Sequence, residues 1–330
     1  AQGRKEGQSA AGPLTDKVID WLGEGEDRPE FTYVQYIDPH APYDPPEFLL
    51  EGGRPSIADL QASFRWESGI PKYPFGERPP LEGDGRERVV RLYDAEIRYC
   101  DREFQRLVDH LEATDRLGPE DWLIVTSDHG EEFYEHLHWG HGQSLFEEQL
   151  HVPLILVGPG ARDGAVIEQP VNLLDLYATL LGWAGAEVPA DCPSRSLQPF
   201  TKNPEREDGR ILFAERIMRE GQGAQTAVRK GSRKLIETPD RTATGEAMLH
   251  LYFDLASNPE EHLEGDYPPA EGTPFDKKNP AFQAPQDLLK LLVMMRDLAL
   301  VTAFTAEKVE LDEDTLRALQ SLGYIGDDEG

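Results

Sequence analysis

Two short runs of β-branched and aromatic residues flank one long amphipathic stretch, and this order limits the fold most. The runs FTYVQYI (31–37) and WLIVT (122–126) have the composition of buried strands. A third, VPLILV (152–157), precedes a helical pattern over 173–184. Strands that alternate with helices favour an α/β fold with a mostly parallel sheet flanked by helices. The stretch between the first two runs predicts a helix over 86–113, whose apolar stripe is Val90, Tyr93, Ile97, Cys100, Phe104, Leu107 and Leu111.

Beyond about residue 203 the pattern changes to closely spaced short strands, which predict a smaller antiparallel subdomain. These strands are ILFAERI (211–217), QTAVRKG (225–231), KLIE (234–237) and HLYFDL (250–255). We therefore predict an α/β core over 1–203, the antiparallel subdomain over 204–262, and a connection with closing helices over 263–330. The closing helices are expected at 288–300 and 313–322, and Thr15 is expected to cap a short helix near the N-terminus.

Composition excludes several classes of protein. Hydrophobic residues make up 38 % of the 330 residues, so the bulk of the chain is not disordered. The net charge of −29 argues against binding to nucleic acid, because such a surface repels phosphates. No apolar run reaches the roughly 18 residues of a membrane span. The two cysteines, Cys100 and Cys192, cannot form a disulfide framework, and Cys100 is expected to pack in the core.

Two polar loops follow predicted strands at the edge where α/β sheets bind ligands. One is Asp38-Pro39-His40, and the other is TSDHGEEFYEHLHWGHGQ (126–143). In the second, Asp128 and His129 offer a carboxylate and an imidazole from one turn, which is a plausible half of a metal site. A polar turn without a metal is the alternative interpretation.

The second loop contains four histidines, His129, His136, His138 and His141, and they leave two alternatives open. They could form an all-histidine zinc cluster, or His141 alone could be catalytic, since Gly140 and Gly142 let the backbone bring its side chain close to a small ligand. With a metal, and with His40 as a proton donor to a leaving alkoxide, the loops would suit an anionic ester. The sequence has neither a Gly-x-Ser-x-Gly elbow nor a P-loop.

Six segments, in order over almost the whole chain, carry a family resemblance. They are FTYVQYIDPHAPYDPP (31–46), YDAEIRYCDREFQRLVDHL (93–111), IVTSDHGEEFYEH (124–136), WGHGQSLFEEQLHVPLILVGPG (139–160), NLLDLYATLLGWAG (172–185) and LDEDTLRALQSLGYIG (311–326). These segments resemble those of type I, formylglycine-dependent sulfatases of the alkaline phosphatase superfamily. The resemblance implies an alkaline-phosphatase-like α/β fold and the metal-assisted hydrolysis of a sulfate monoester, either a small molecule or a carbohydrate.

The resemblance also implies roles for single residues. Asp128 and His129 match the second pair of ligands to the family's single divalent cation, commonly calcium, with manganese or magnesium as alternatives. His40 matches the histidine that contacts the sulfate ester and its leaving oxygen. His141 falls where many relatives have a lysine that binds the sulfate, and an imidazole there could donate the same hydrogen bond.

The sequence departs from the family in its nucleophile. Formylglycine arises in a Cys/Ser-x-Pro-x-Arg motif, expected upstream of this chain; Cys192-Pro193-Ser194-Arg195 lacks the residue between Cys and Pro. We therefore expect the chain to match the C-terminal two-thirds of a sulfatase and to be inactive alone.

Two other functions on the same fold stay open, a one-metal phosphodiesterase or phosphonate monoester hydrolase and a non-catalytic binding protein. The spacing Asp38-x-His40 favours the one-metal type, since two-metal members generally have Asp-x-x-x-His. Because relatives are often exported, a periplasmic or extracellular location is expected.

Overall fold

The computed structural model describes residues 11–23, 29–41, 43–50, 83–136, 138–217, 224–239, 248–263 and 283–302. They belong to two compact units, one formed by the described residues up to Arg116 and the other by those from Leu117 to Thr302. The predicted domain bounds at 203 and 262 stay predictions, and the predicted helix over 313–322 lies outside the described residues.

The first unit contains two packed helices, α1 (Ala11–Gly23) and α2 (Gly85–Ala113), and a 3-10 helix at Glu47–Leu49. The helices approach closely at Gly12, where an added Cβ would lie 2.5 Å from the Tyr99 hydroxyl oxygen. Arg106 of α2 reaches across to α1 and donates hydrogen bonds to the Gly12 carbonyl and the Asp16 carboxylate. A small residue and a long basic one thus fix this helix pair.

The prediction of α2 is confirmed, but its buried side differs from the predicted stripe. The buried residues lie mainly one position earlier, at Val89, Leu92 and Glu96, while Ile97 is 42 % exposed. Apolar periodicity therefore found the helix but misplaced its buried face, since it counted no carboxylate as buried.

Two smaller predictions in the first unit were wrong. Thr15 lies inside α1 rather than at its N-cap, and its hydroxyl donates to the carbonyl of Ala11. Residues 31–37 form no strand, and Phe31 and Tyr33 are exposed. Strand propensity reflects fit to a paired surface, and among the described residues this run has no strand partner.

The second unit begins with two short strand pairs. Its first elements are β1 (Leu123–Thr126), β2 (Glu132–Phe133), β3 (Trp139–Gly140), α3 (Glu147–Leu150), β4 (Leu154–Val157), α4 (Asp175–Trp183) and α5 (Gln198–Lys202). Strands β1 and β4 pair with each other, as do β2 and β3, and the three helices follow these strands or separate them.

The pairing of β1 with β4 is antiparallel, not parallel as the strand and helix order suggested. A parallel pair needs a crossover connection, usually a helix. Between β1 and β4 the chain instead turns back through the β2–β3 hairpin, and α3 is only 4 residues long. The connection between β1 and β4 is therefore a short loop, and it carries the polar side chains of the second loop.

The predicted antiparallel meander is confirmed, and the predicted helix over 288–300 is also present. The elements are β5 (Ile211–Ile217), β6 (Ala224–Lys230), β7 (Arg233–Pro239), β8 (Met248–Asp254) and α6 (Gln286–Thr302). The four strands form one sheet in the order β5-β6-β7-β8, and each pair of neighbours is antiparallel. Lys230 and Arg233 face each other across a two-residue turn whose Gly231 has a φ of 61°.

Both faces of this sheet are covered within the second unit. On one face Val228 and Leu235 pack against Leu288 and Leu292 of α6. The other face holds a core cluster of Leu145, Phe146, Ala227, Ile236, Leu251 and Phe253. Since Leu145 and Phe146 directly follow the second polar loop, this cluster anchors that loop's end on a rigid sheet.

No helix among the described residues combines the length and the apolar character that crossing a membrane requires.

Candidate active site

The loop that carries His40 belongs to the first unit, and α1 and α2 hold it from both ends. The Asp38 carboxylate accepts a 2.9 Å hydrogen bond from the N–H of Ala11, at the start of the described part of α1. Cys100 of α2 donates its thiol to the carbonyl of Asp38 at 2.7 Å. Glu96, one turn earlier on α2, accepts the backbone N–H groups of His40 and Asp44 at 3.1 and 2.8 Å.

The tautomer of His40 follows from its ring contact. Its Nδ1 lies 2.6 Å from the carbonyl oxygen of Ala41, which can only accept a hydrogen bond. Nδ1 is therefore the donor, and any proton exchanged with a ligand is exchanged at Nε2. This tautomer suits a general acid, because the contact at Nδ1 orients the ring and makes Nε2 the nitrogen through which a proton would be transferred.

The second loop, in the second unit, brings Asp128, His129 and His141 together. The rings of His129 and His141 stack with centroids 4.1 Å apart and planes 29° from parallel. The Asp128 carboxylate Oδ2 lies 3.8 Å from His129 Nε2. All three side chains are partly exposed, so a ligand can reach them.

Backbone contacts with α3 shape this loop. Gly130 donates its N–H to the carbonyl of Gln149 at 2.9 Å, and a Cβ at this position would clash with the carbonyl of Glu148. Only glycine permits this close approach. Further along, Arg216 of β5 donates its Nε–H to the carbonyl of Gly142, whose φ is 71°. Two glycines thus let the chain curve around His129 and His141.

Glu131 fixes the His141 ring. Its Oε1 lies 3.1 Å from His141 Nδ1, and the Glu131 side chain is buried. Burial by itself lowers the pKa of the His141 imidazole, but the hydrogen bond and negative charge of Glu131, helped by Asp128, raise it above the usual 6.5. The raised pKa favours the protonated form of the His141 imidazole, which suits an anion.

The all-histidine zinc cluster does not form among the described residues. His136 turns away toward Glu148, and His138 donates its backbone N–H to Glu132. The single group of three metal-ligating side chains found in that part of the chain is Glu132, His136 and Glu148, whose ligand atoms lie within 4.8 Å of one another. The cluster does not form because neighbouring carboxylates bind two of these rings, Glu148 of α3 that of His136 and Glu131 that of His141.

The hydrogen bonds of this group favour a proton over a metal ion at His136. Nε2 lies 3.2 Å from the carbonyl oxygen of Glu261, so Nε2 donates, and Nδ1 lies 2.7 Å from the Glu148 carboxylate. Burial lowers the pKa of His136, but the hydrogen bond and charge of Glu148 raise it above 6.5 overall. A ring that donates from both nitrogens has no lone pair for a cation.

Sequence reasoning missed Glu96 and Glu131 as residues that hold the site histidines. Glu131 lies close to His141 in sequence, and its place in the polar loop was a usable signal. Glu96 has no such signal, because a charged residue on a long helix is usually solvated. The Cys192-Pro193-Ser194-Arg195 segment is structural, since Ser194 Oγ and the Arg195 N–H bond to α4.

Curated relatives match much of the chain. Human arylsulfatase K is 27 % identical over 279 residues, which cover 75 % of this chain and 50 % of that protein. The uncharacterized sulfatase YidJ of Escherichia coli K12 is 26 % identical over 198 residues, covering 56 % of this chain and 38 % of that protein. The chain spans about half the length of the arylsulfatase K proteins that match three quarters of it.

Solved structures confirm the fold class. A protein in complex with its substrate D-glucosamine-2-N,6-O-disulfate matches with a TM-score of 0.65 at 18 % identity, covering 89 % of this chain and 70 % of its own. A phosphonate monoester hydrolase from Silicibacter pomeroyi matches with a TM-score of 0.65 at 22 % identity, covering 90 % and 61 %. A 2-O GAG sulfatase has a TM-score of 0.61 at 16 % identity, covering 94 % and 66 %. The predicted α/β fold with a smaller antiparallel subdomain is therefore correct.

The sulfatase family profile matches residues 6–186, more than half of the chain, and so includes both polar loops. With the fold and the two loops in place, the chain belongs to the sulfatase family.

Proposed function

We propose that this chain is part of a sulfuric ester hydrolase that cleaves a sulfate monoester with the help of one divalent cation. The observation that carries the proposal is the convergence of Asp128, His129 and His141 in one partly exposed loop of a sulfatase-family chain. This loop combines two ligand types for a cation with an imidazole for an anion.

Asp128 and His129 fit a cation as a half-site. His129 Nδ1 lies 2.8 Å from the carbonyl oxygen of Gly130 and so donates to it. In the neutral ring this leaves the lone pair on Nε2, on the side of the Asp128 carboxylate, which is the tautomer of a metal ligand supported by a backbone carbonyl. Calcium is the proposed ion, with manganese or magnesium as alternatives; when bound it would neutralise ester oxygens.

His40 and His141 are the proposed catalytic residues of this chain. His141, oriented by Glu131, would donate a hydrogen bond to a sulfate oxygen. His40 would protonate the leaving alkoxide from Nε2, because Nδ1 is held by the Ala41 carbonyl. The nucleophile is proposed to be a formylglycine in the complete protein, outside this chain.

The proposed substrate is a sulfated carbohydrate or another small sulfate ester. The carbohydrate is supported by the neighbour bound to a disulfated glucosamine. An exported location is proposed on the resemblance to sulfatases.

A direct test compares rates on matched esters. The complete gene product, the 330-residue chain and the complete product with Asp128→Asn are each assayed on 4-nitrophenyl sulfate and phenylphosphonate monoesters. We expect sulfate turnover by the complete product, loss after chelation with recovery on adding calcium, and little activity in the chain alone. Faster phosphonate cleavage would transfer the proposal to the phosphonate hydrolase class, which the Silicibacter neighbour favours. No turnover of either ester with metal present would leave the binding-protein interpretation.

A further inference from the structure

We infer that Glu96 is a positioning residue that sets the geometry of His40. The inference rests on the proposed role of His40, but its first test does not. Glu96 lies in the middle of α2, 0 % exposed, although carboxylates are rarely fully buried. The proposed chemistry does not use it directly.

The carboxylate is placed where the His40 loop leaves its backbone unpaired by secondary structure. Oε2 accepts the N–H of His40 at 3.1 Å, and Oε1 accepts that of Asp44 at 2.8 Å. One side chain thus closes a five-residue segment from both ends. Cys100, one helical turn later, binds the carbonyl of Asp38, so two adjacent positions of α2 define the path of the loop.

The chemistry requires a carboxylate here. Two separate N–H donors need two acceptor oxygens, which an ionised Glu offers and a Gln does not. In Glu96→Gln the amide NH₂ would face one of the backbone N–H groups, and a buried donor would lose its partner. The prolines at 39, 42, 45 and 46 supply no N–H, so the segment has few other backbone donors that could replace the lost hydrogen bond.

The consequence for His40 is one of orientation. Its ring bonds to the carbonyl of Ala41, within the segment that Glu96 closes, so a shift of that segment moves Nε2. A proton donor that moves by about 1 Å loses much of its effect on the transition state. Glu96 therefore acts through His40 and does not touch the substrate.

The first test measures the loop without any assay of activity. Hydrogen–deuterium exchange of a peptide covering residues 38–46 reports few amides, those of His40, Ala41, Tyr43 and Asp44, because the prolines have none and Asp38 becomes the peptide's free amino terminus. We expect Glu96→Gln to exchange at least about tenfold faster there than the parent protein. Glu103→Gln is the matched control, since Glu103 lies two turns further along α2, is 7 % exposed and binds Arg106 instead of the loop. Unchanged exchange in Glu96→Gln, or an equal gain in Glu103→Gln, would overturn the inference.

The second test uses leaving groups in the complete protein. If Glu96 positions a proton donor, Glu96→Gln lowers kcat/KM at least about tenfold for an alkyl sulfate, but less than about threefold for 4-nitrophenyl sulfate, which needs no proton. A merely structural loss lowers both equally, and that result would overturn the inference. Glu96→Asp, which keeps both acceptors, should recover part of the alkyl sulfate rate and serves if the Gln variant fails to fold. If the parent hydrolyses no sulfate ester, the proposed function fails while the exchange result still stands.

Discussion

The two loops that carry the proposed site residues are held in different ways. The loop around His40 is fixed through its backbone, whose N–H groups bind the buried carboxylate of Glu96. The loop around His141 also has backbone N–H groups bound to a buried carboxylate, those of His136 and His138 to Glu132, but its imidazoles add side-chain contacts. His141 binds Glu131, and His136 binds Glu148.

Because of this difference, replacing a proposed catalytic side chain should affect the stability of the two loops differently. A loop held by its backbone keeps its path when the side chain that it displays is replaced. A loop held by imidazole and carboxylate side chains changes when those rings are replaced or lose a proton. Replacement of the His40 ring should therefore leave the stability of the fold unchanged. Replacement of some histidine rings of the second loop, such as that of His136, should destabilise it.

The largest expected effect tests the first half of this comparison. His40→Ala in the complete protein should lower turnover of an alkyl sulfate at least tenfold, and by about 10²–10⁴-fold if its proton transfer is fully lost, without a lower unfolding temperature. Steady-state rates and calorimetry measure the two quantities. His262→Ala is the control, because the His262 side chain is 72 % exposed. Turnover equal to that of the parent would remove His40 from the mechanism.

The next effect concerns which of two groups of side chains holds the proposed cation. Asp128→Asn should reduce the divalent metal retained after dialysis from about one ion per chain to well below half, since an amide is a weaker ligand than a carboxylate. His136→Asn should leave the metal content unchanged, because His136 donates from both nitrogens. Elemental analysis of both variants decides between the two sites, and the opposite pattern would assign the ion to Glu132, His136 and Glu148.

A smaller effect links the second loop to pH. His136 has a raised pKa in the folded protein, so its contribution to stability is fully present below pH 6.5, its usual pKa, and disappears as the pH rises through the folded value. The loss of unfolding free energy caused by His136→Asn should therefore be larger at pH 6 than at pH 9. Urea unfolding at both values measures it, with His262→Asn as the control. An equal loss at both pH values would mean that His136 stabilises the loop only by packing on Phe146.

Much of the fold follows from local patterns in the sequence. Helical spacing found α2 and α6, and closely spaced β-branched runs found the four strands β5 to β8. Strands β5 to β8 pair with their neighbours in the chain, and a helix makes its backbone hydrogen bonds within itself, so short-range patterns contain most of what determines these elements. The proposed site residues Asp128, His129 and His141 also lie in one short segment, which a small hairpin and two glycines bring together.

Long-range partners could not be read in the same way. Glu96 lies 52 to 56 positions from the loop that it binds, and no local pattern distinguishes it from a solvated glutamate. The run at 31–37 has strand composition but forms no strand, because pairing depends on partners that composition does not identify. The antiparallel direction of the β1–β4 pair depends on the hairpin between them rather than on the sequences of the two strands.

The smallest expected effect asks whether Cys100 is a reactive thiol or one more anchor of the His40 loop. It is half-buried and donates to the carbonyl of Asp38, a bond that a serine hydroxyl can also make. Cys100→Ser should therefore leave turnover within about twofold and change stability by less than about 1 kcal/mol, whereas Cys100→Val should cost about 1 kcal/mol through the lost hydrogen bond. Turnover and urea unfolding of both variants measure this. A serine variant that lost activity while keeping its stability would contradict the anchor role, because only the thiol chemistry would then have changed.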